Sequence, residues 1–145
     1  MSSTLKDIAD ALADGLDAHT FTSVSPQPAV QRVNWAIYDT EAMADPVIAV
    51  TPAGDDILRV DRTRHQHDYQ VNVFIGRHTP TEADADDMLD LAEEVVDTIL
   101  AHSWGQLTFP ATSPQAIEIQ INPDDGLNDR NVWRAVITVT YRTFR

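Results

Sequence analysis

The chain has 145 residues, enough for one domain with its own hydrophobic core, and it contains no cysteine. The lack of cysteine excludes disulfide bonds, a thiolate nucleophile and cysteine metal sites. Ten basic against 23 acidic residues give a net charge of −13, which argues against binding to nucleic-acid phosphates or to an anionic membrane surface.

The composition has a second bias within its charged residues. Eighteen of the acidic residues are aspartate, nine of the ten basic residues are arginine, and Lys6 is the only lysine. This bias is typical of proteins from salt-loving or GC-rich sources, and the sequence leaves both open. The first residues lack a basic leader with an apolar core, and no stretch approaches the roughly 18 apolar residues of a membrane span. We therefore expect a soluble chain with no membrane partner.

The first third of the chain predicts one helix followed by short strands. Ser3 or Thr4 caps the helix, whose apolar residues recur at helical spacing: Leu5, Ile8, Ala9, Leu12 and Leu16. Residues 20–24 predict a short strand, residues 29–38 an edge strand, and residues 46–51 a buried strand that ends at a proline.

Residues 52–66 predict an arm that protrudes from the domain. The arm contains three of the nine arginines, Arg59, Arg62 and Arg64, in a chain that is otherwise acidic. One interpretation is a solvent-facing hairpin whose charges keep an edge strand soluble. The other is a docking arm whose guanidinium groups bind the acidic helix face of a neighbouring subunit.

The centre of the chain predicts a strand and the longest helix. Residues 67–75 alternate as a strand does, and their apolar side is formed by Tyr69, Val71, Val73 and Ile75. The helix is predicted to begin with Thr79 as N-cap and Pro80 in its first position, to gain a capping box from Glu82, and to end at His102. Its apolar half contains Met88, Leu89, Leu91, Ala92, Val95, Val96, Ile99 and Leu100.

The opposite half of this helix is acidic. It contains Asp86, Asp87, Asp90, Glu93, Glu94 and Asp97. No lysine or arginine lies between Pro80 and Gln106, so like-charge pairs such as Asp90 and Glu94 each cost roughly 0.2–0.5 kcal/mol. Concentrated salt would screen this repulsion, and a basic surface from another chain would neutralise it. A solvated helix face is the simpler interpretation, and a docked partner is the alternative.

The last third of the chain predicts two more strands and completes the fold class. Residues 117–121 and 133–142 alternate between apolar and polar side chains, with a turn-rich connection at residues 123–129. The apolar side of the last strand is expected to pack on the long helix. The order of elements predicts a single α+β domain over residues 1–145, with one mostly antiparallel sheet of four to five strands and two helices packed on one face.

Two groups of residues have the types and spacing of metal ligands. His65 and His67 lie on one side of an extended strand, where Asp61 or Asp68 would be a further ligand. A turn offers the oxygen ligands Asn122, Asp124, Asp125, Asn128 and Asp129. We prefer a structural role for both groups, because the histidines lack an assigned third ligand and the turn departs from the calcium-binding pattern.

The sequence also lacks the motifs of common enzyme classes. It has no glycine-rich phosphate loop and no Gly-x-Ser-x-Gly sequence, and its five glycines leave little material for such loops. Paired carboxylates are so frequent that no single pair indicates acid/base catalysis. We therefore predict no enzymatic activity, no cofactor and no bound metal.

The order of these segments resembles a known protein family. An amphipathic first helix precedes a short apolar strand at residues 47–50, which ends in Thr51 and Pro52 before the arginine-containing arm. Residues 68–75 then lead into the acidic helix, and the chain ends in the strand Trp-Arg-Ala-Val-Ile-Thr-Val-Thr-Tyr-Arg. The apolar helix positions in the pattern are Leu89, Leu91, Val95 and Ile99. This pattern covers most of the chain and resembles the tail terminator and tail completion (minor tail) proteins of long-tailed phages and related viruses.

The resemblance implies a subunit that assembles, usually as a hexameric ring, to cap the tail tube and join it to the neck on the head side. The implied partners are further copies of the chain, the tail tube protein and the neck or connector proteins. The implied location is the virion, after assembly in the host cytoplasm. An acidic wall fits a lumen through which DNA passes without sequence-specific binding. The family supplies no catalytic residues.

A ring with head-to-tail contacts brings two different surface patches together. We therefore expect the three arm arginines to approach the next subunit's acidic helix at Asp90, Glu94 and Asp97. Two alternatives stay open. One is a head-completion or connector protein placed one ring higher in the virion. The other is a cellular ligand-binding module with an apolar pocket near Trp35, Trp104 and Trp133.

Overall fold

The elements of secondary structure follow the predicted order. The structure is a computed structural model that describes residues 4–24, 27–34, 45–78, 82–101, 114, 116–121 and 132–144. Within these ranges the chain forms, in order, α1 (Thr4–Ala18), β1 (Ala29–Arg32), β2 (Val47–Arg59), β3 (His65–His78), α2 (Glu82–Ala101), β4 (Ala116–Ile121) and β5 (Val132–Phe144).

The described strands form one five-stranded sheet with the order β1-β2-β3-β5-β4. β1 pairs with β2 in parallel, while the other three pairings are antiparallel. The sheet is therefore mixed but mostly antiparallel, and the α+β class predicted from the sequence is confirmed. β3 lies at the centre and forms a hairpin with β2.

One face of the sheet is covered by both helices. The register places Val50, Val73 and Ile137 side by side on neighbouring strands, and all three are fully buried. Alternate residues of β3 and β5 continue this face, as a strand with one buried side requires. The helices complete the same core with Ile8, Ala9, Leu12, Ala13 and Leu16 from α1 and Met88, Leu91, Ala92, Val95 and Ile99 from α2.

The apolar half of α2 is narrower than the sequence predicts. Leu89 and Leu100 are 42% and 60% exposed, whereas Leu91 is fully buried. Successive residues are about 100° apart, so Leu89 and Leu100 lie about a quarter turn or more from the centre of the buried stripe. The predicted cap residues Thr79 and Pro80 lie outside the described residues, and the helix begins at Glu82.

The prediction of a strand at residues 20–24 is wrong. This segment forms bends, although Phe21 and Val24 are buried in the core. The backbone N–H groups of Thr22 and Ser23 donate to the side chain of Glu94. Because those donors bind a carboxylate on α2, they are not available to a neighbouring strand.

β2 extends beyond the predicted end of its strand. The sequence predicts a strand that ends near Pro52, but β2 continues to Arg59, and its register against β3 shifts between Pro52 and Gly54. Proline is tolerated in a sheet at edges and bulges, because its missing N–H then breaks no ladder bond. Among the described residues, β1 pairs with β2 only over residues 47–50, so Pro52 lies past that pairing.

The remaining predicted segments differ from the structure in length or lie outside its described part. β5 has 13 residues instead of the ten predicted, and residues 35–44, which include the second half of the predicted edge strand, lie outside the described part. The predicted oxygen-rich turn at residues 122–129 also lies outside it. Neither described helix combines the length and apolar character that a bilayer crossing requires.

Candidate functional site

The arm is the most exposed part of the described sheet. The last pair between β3 and β5 joins Gln66 to Phe144, so residues 59–65 extend beyond β5. Residues 56–64 are all exposed. The arm therefore projects its two short strands and their turn into solvent.

The arm also exposes three large aliphatic side chains within four positions. Ile57 and Leu58 are each 60% exposed, and Val60 is 48% exposed. Ile57 pairs with buried His67 on the helix-covered face, so Leu58 lies on the opposite face. A hairpin that only keeps an edge soluble gains nothing from these residues, whereas a docking arm buries them against a partner.

The turn of the arm is held in one conformation by Asp61. Its carboxylate accepts hydrogen bonds from the backbone N–H groups of Thr63 and Arg64, each at 2.8 Å, and from Arg64 Nε at 3.0 Å. The N–H groups of Val60 and Asp61 donate in turn to the carbonyl oxygen of Arg64. The N–H of Thr63 and the groups of Arg64 lower the pKa of Asp61 to about 2.

The three arm arginines have different surroundings. Arg64 forms an ion pair with Asp61, and Arg59 Nε donates to the backbone carbonyl of Asp61 at 3.2 Å. Arg62 is exposed at the apex of the turn and makes no hydrogen bond or ion pair with any described residue. Arg62 is thus the arm cation that is free to bind a partner.

We predict that Asp61→Asn loosens the turn without unfolding the domain. Amide hydrogen exchange at Thr63 and Arg64 is expected to become about tenfold faster, because the charged acceptor of their N–H groups is lost. Nuclear magnetic resonance of the wild type should show the same protection falling as the pH drops from 3.8 towards 2, since the pKa of Asp61 is depressed. Asp56→Asn, on the same arm, is the control and should leave exchange in the turn unchanged.

A groove lies between α2 and the segment that follows α1. Its volume is about 500 Å³, and its lining residues are His19, Thr22, Ser23, Asp90, Glu93, Glu94, Asp97, Thr98 and Ala101. Asp90, Glu93 and Asp97 are exposed along one wall, and none of the described lining residues is a lysine or arginine. We call it the acidic groove.

Glu94 joins the two walls of the acidic groove. Its carboxylate lies 2.8 Å from His19 Nε2 and accepts hydrogen bonds from the N–H groups of Thr22 and Ser23 and, at 2.6 Å, from Ser23 Oγ. Burial alone would raise its pKa, but the bonds from Ser23, His19 and Thr22 outweigh burial and lower it. Thr98 Oγ1 also donates to the Glu94 carbonyl oxygen.

This arrangement divides the acidic residues that we expected at a subunit interface. Glu94 is used within its own chain, whereas Asp90 and Asp97 are exposed in the acidic groove. Donors from the facing segment also offset part of the repulsion between Asp90 and Glu94. No local pattern indicates this role, because His19 and Glu94 are 75 residues apart and Glu94 is one of eight acidic residues on α2.

The candidate ligands around His65 and His67 are dispersed, while the oxygen-rich turn at residues 122–129 lies outside the described residues. His67 lies 2.9 Å from Asp55 and stacks on Tyr69, on the helix-covered face. Asp68 lies on the opposite face and binds Arg142 through two hydrogen bonds, which lower the pKa of Asp68. Asp61 holds the arm turn. In the described part of the chain, no group of three His, Asp or Glu side chains is placed to hold a metal.

The predicted ligand pocket has only one residue in the described ranges. Trp133 is buried in the core, while Trp35 and Trp104 lie outside those ranges. The arm and the acidic groove are therefore the surfaces with features that bear on function. Comparison with known proteins found no matching family model and no matching curated protein.

Proposed function

We propose that this chain is a virion structural protein, a tail terminator or completion subunit that forms a ring on the tail tube and joins it to the neck. The observation that supports the proposal is the pair of surfaces on one small α+β domain. An arm with exposed aliphatic and arginine side chains is matched by an acidic groove elsewhere on the same chain. Such unlike patches are what a head-to-tail ring contact requires.

The size of the arm suggests weak pairwise association. Complete burial of Ile57, Leu58 and Val60 would contribute roughly 1.5–3 kcal/mol for each side chain. Association costs an estimated 4–15 kcal/mol in lost freedom, so the arm alone gives a marginal complex. Ring closure, or binding of each subunit to the tail tube, would add the further contacts that make the assembly stable. Assembly is therefore expected to be strongest on the tube.

The charge of the chain fits passage of DNA through the ring. A net charge of −13 repels the phosphate backbone, so a genome can pass without sequence-specific or nonspecific binding. The proposed partners are further copies of the chain, which would form a hexameric ring on the tube, together with the tail tube protein and the neck proteins.

The proposal is tested with tail tubes purified from the virus that encodes the chain. Tagged chain is mixed with the tubes and viewed by electron microscopy. The expected result is a ring at one end of each tube. Binding to the portal complex instead would favour the connector alternative and contradict the terminator. A chain that binds neither structure and takes up a small apolar ligand would favour the cellular module.

The same experiment needs a control for the arm. Replacing the arm arginines with glutamate should remove the rings, because the arm would then repel the acidic helix. Lys6→Glu makes a charge reversal on α1, away from the arm, and should leave ring formation intact. Rings that survive the arm substitution would show that the subunits associate through another surface.

A further inference from the structure

We propose that Arg62 of one copy inserts into the acidic groove of a second copy and binds there between Asp90 and Asp97. The inference rests on the proposed ring function and names the contact that holds neighbouring subunits together. The occupant of the groove is the arm turn of another copy of this chain.

The groove has the charge and the fixed shape that such an occupant needs. Asp90 and Asp97 are two helical turns apart, and Glu93 lies between them on the same wall. Glu94 binds the opposite wall through Thr22 and Ser23, so both walls are held in position. A guanidinium group would offset part of the repulsion within this wall, and its five N–H donors can contact carboxylates on more than one side.

The arm presents Arg62 in a conformation that is already ordered. Asp61 binds the backbone of Thr63 and Arg64, which fixes the turn on both sides of Arg62. Docking therefore costs little backbone entropy, since the turn is ordered before it binds. Arg62 has no partner among the described residues, so no internal ion pair must break first.

The aliphatic residues of the arm explain why the contact is a docking site and not a simple ion pair. An exposed salt bridge contributes little by itself, because water and salt screen it. Ile57 and Leu58 lie on opposite faces of the arm just below the turn, and both are largely exposed. When Arg62 enters the groove, the surrounding surface of the second copy excludes water from these side chains, and that strengthens the charge pairing.

A charge exchange tests the contact directly. Arg62→Glu alone, and Asp90→Arg with Asp97→Arg in one chain, should each raise the concentration needed for assembly by roughly tenfold or more. An equal mixture of the two variants should restore assembly, because each arm can then meet a groove of opposite charge on the other variant. Lys6→Glu is the matched control. Circular dichroism should show that all variants remain folded, since the replaced side chains are exposed.

A cross-link gives an independent measurement, since the native chain contains no cysteine. A mixture of Arg62→Cys and Asp97→Cys chains treated with a short bifunctional maleimide should form covalent dimers, whereas Lys6→Cys with Asp97→Cys should not. The maleimide linker is needed because an arginine–aspartate contact holds the two Cα atoms farther apart than a disulfide can bridge. If Arg62→Glu forms rings as well as the wild type does, and the cysteine pair gives no cross-link, this inference is overturned and the ring function is left intact. A wild type that never assembles, alone or on tail tubes, would overturn both.

Discussion

Replacing Glu94 with alanine is expected to destabilise the domain by roughly 2–4 kcal/mol, because the substitution leaves several donors, most of them partly buried, without their charged acceptor. These donors are the N–H groups of Thr22 and Ser23, the Ser23 hydroxyl and the His19 ring. Without Glu94, the segment after α1 loses its attachment to α2, and the acidic groove loses one wall.

The effect is measured as the free energy of unfolding in urea at neutral pH. Glu93→Ala removes an exposed carboxylate from the next position and should change stability by about 0.5 kcal/mol or less. The pKa of Glu94 is lowered, so its contribution is present above pH 4.5 and is lost as the pH falls below that value. Glu94→Ala should lack this pH dependence. Equal stability of the two alanine variants would contradict the bonding described for Glu94.

Leu91→Ala is expected to cost roughly 2–5 kcal/mol, the range for removing a large side chain from a packed core. Leu91 lies on α2 and is fully buried in the core that α2 forms with the sheet. Leu89 lies two residues earlier on the same helix and is 42% exposed, so Leu89→Ala should cost about 1 kcal/mol or less. The two substitutions remove the same side chain from the same helix, so the comparison isolates the effect of burial.

Urea unfolding followed by circular dichroism measures both leucine variants. An unchanged slope with a lower midpoint for Leu91→Ala would show that stability fell while the unfolding remained cooperative. A similar loss for Leu89→Ala would mean that the exposed edge of α2 is covered by a further part of the chain. That result would revise the limits of the core on this helix.

The central elements could be predicted because their patterns repeat along the sequence. The alternation of Val71, Val73 and Ile75 is the direct trace of one buried strand face. The same is true of α2, where Leu91 and Val95 recur at helical spacing. In both elements, neighbouring residues along the chain share the same environment, so local sequence is sufficient.

The errors come from contacts between distant parts of the chain. Phe21 and Val24 suggested a strand because they are apolar, but their backbone is held by Glu94 from α2. Pro52 suggested a strand end, yet the bulge and the short pairing with β1 let β2 continue. The partner of the first segment, Glu94, and the short pairing of β2 with β1 are both recognisable only in the folded chain.

The candidate site could be predicted in part. The cluster of arginines marked the arm, and the acidic helix marked one wall of the groove. The second wall could not be predicted, because it depends on His19 and on backbone donors that have no sequence signature. The separate roles of Arg62 and Arg64 also follow from the geometry of the turn and not from residue type.

The mass of the assembled wild-type chain shows whether its copies associate into a ring. Light scattering is recorded over a series of concentrations, in low and in high salt, with and without tail tubes. A ring should give a discrete mass that is a multiple of the 16.1 kDa chain and that Arg62→Glu fails to reach. A mass of 16.1 kDa under every condition, with no chain bound to tubes, would contradict ring formation.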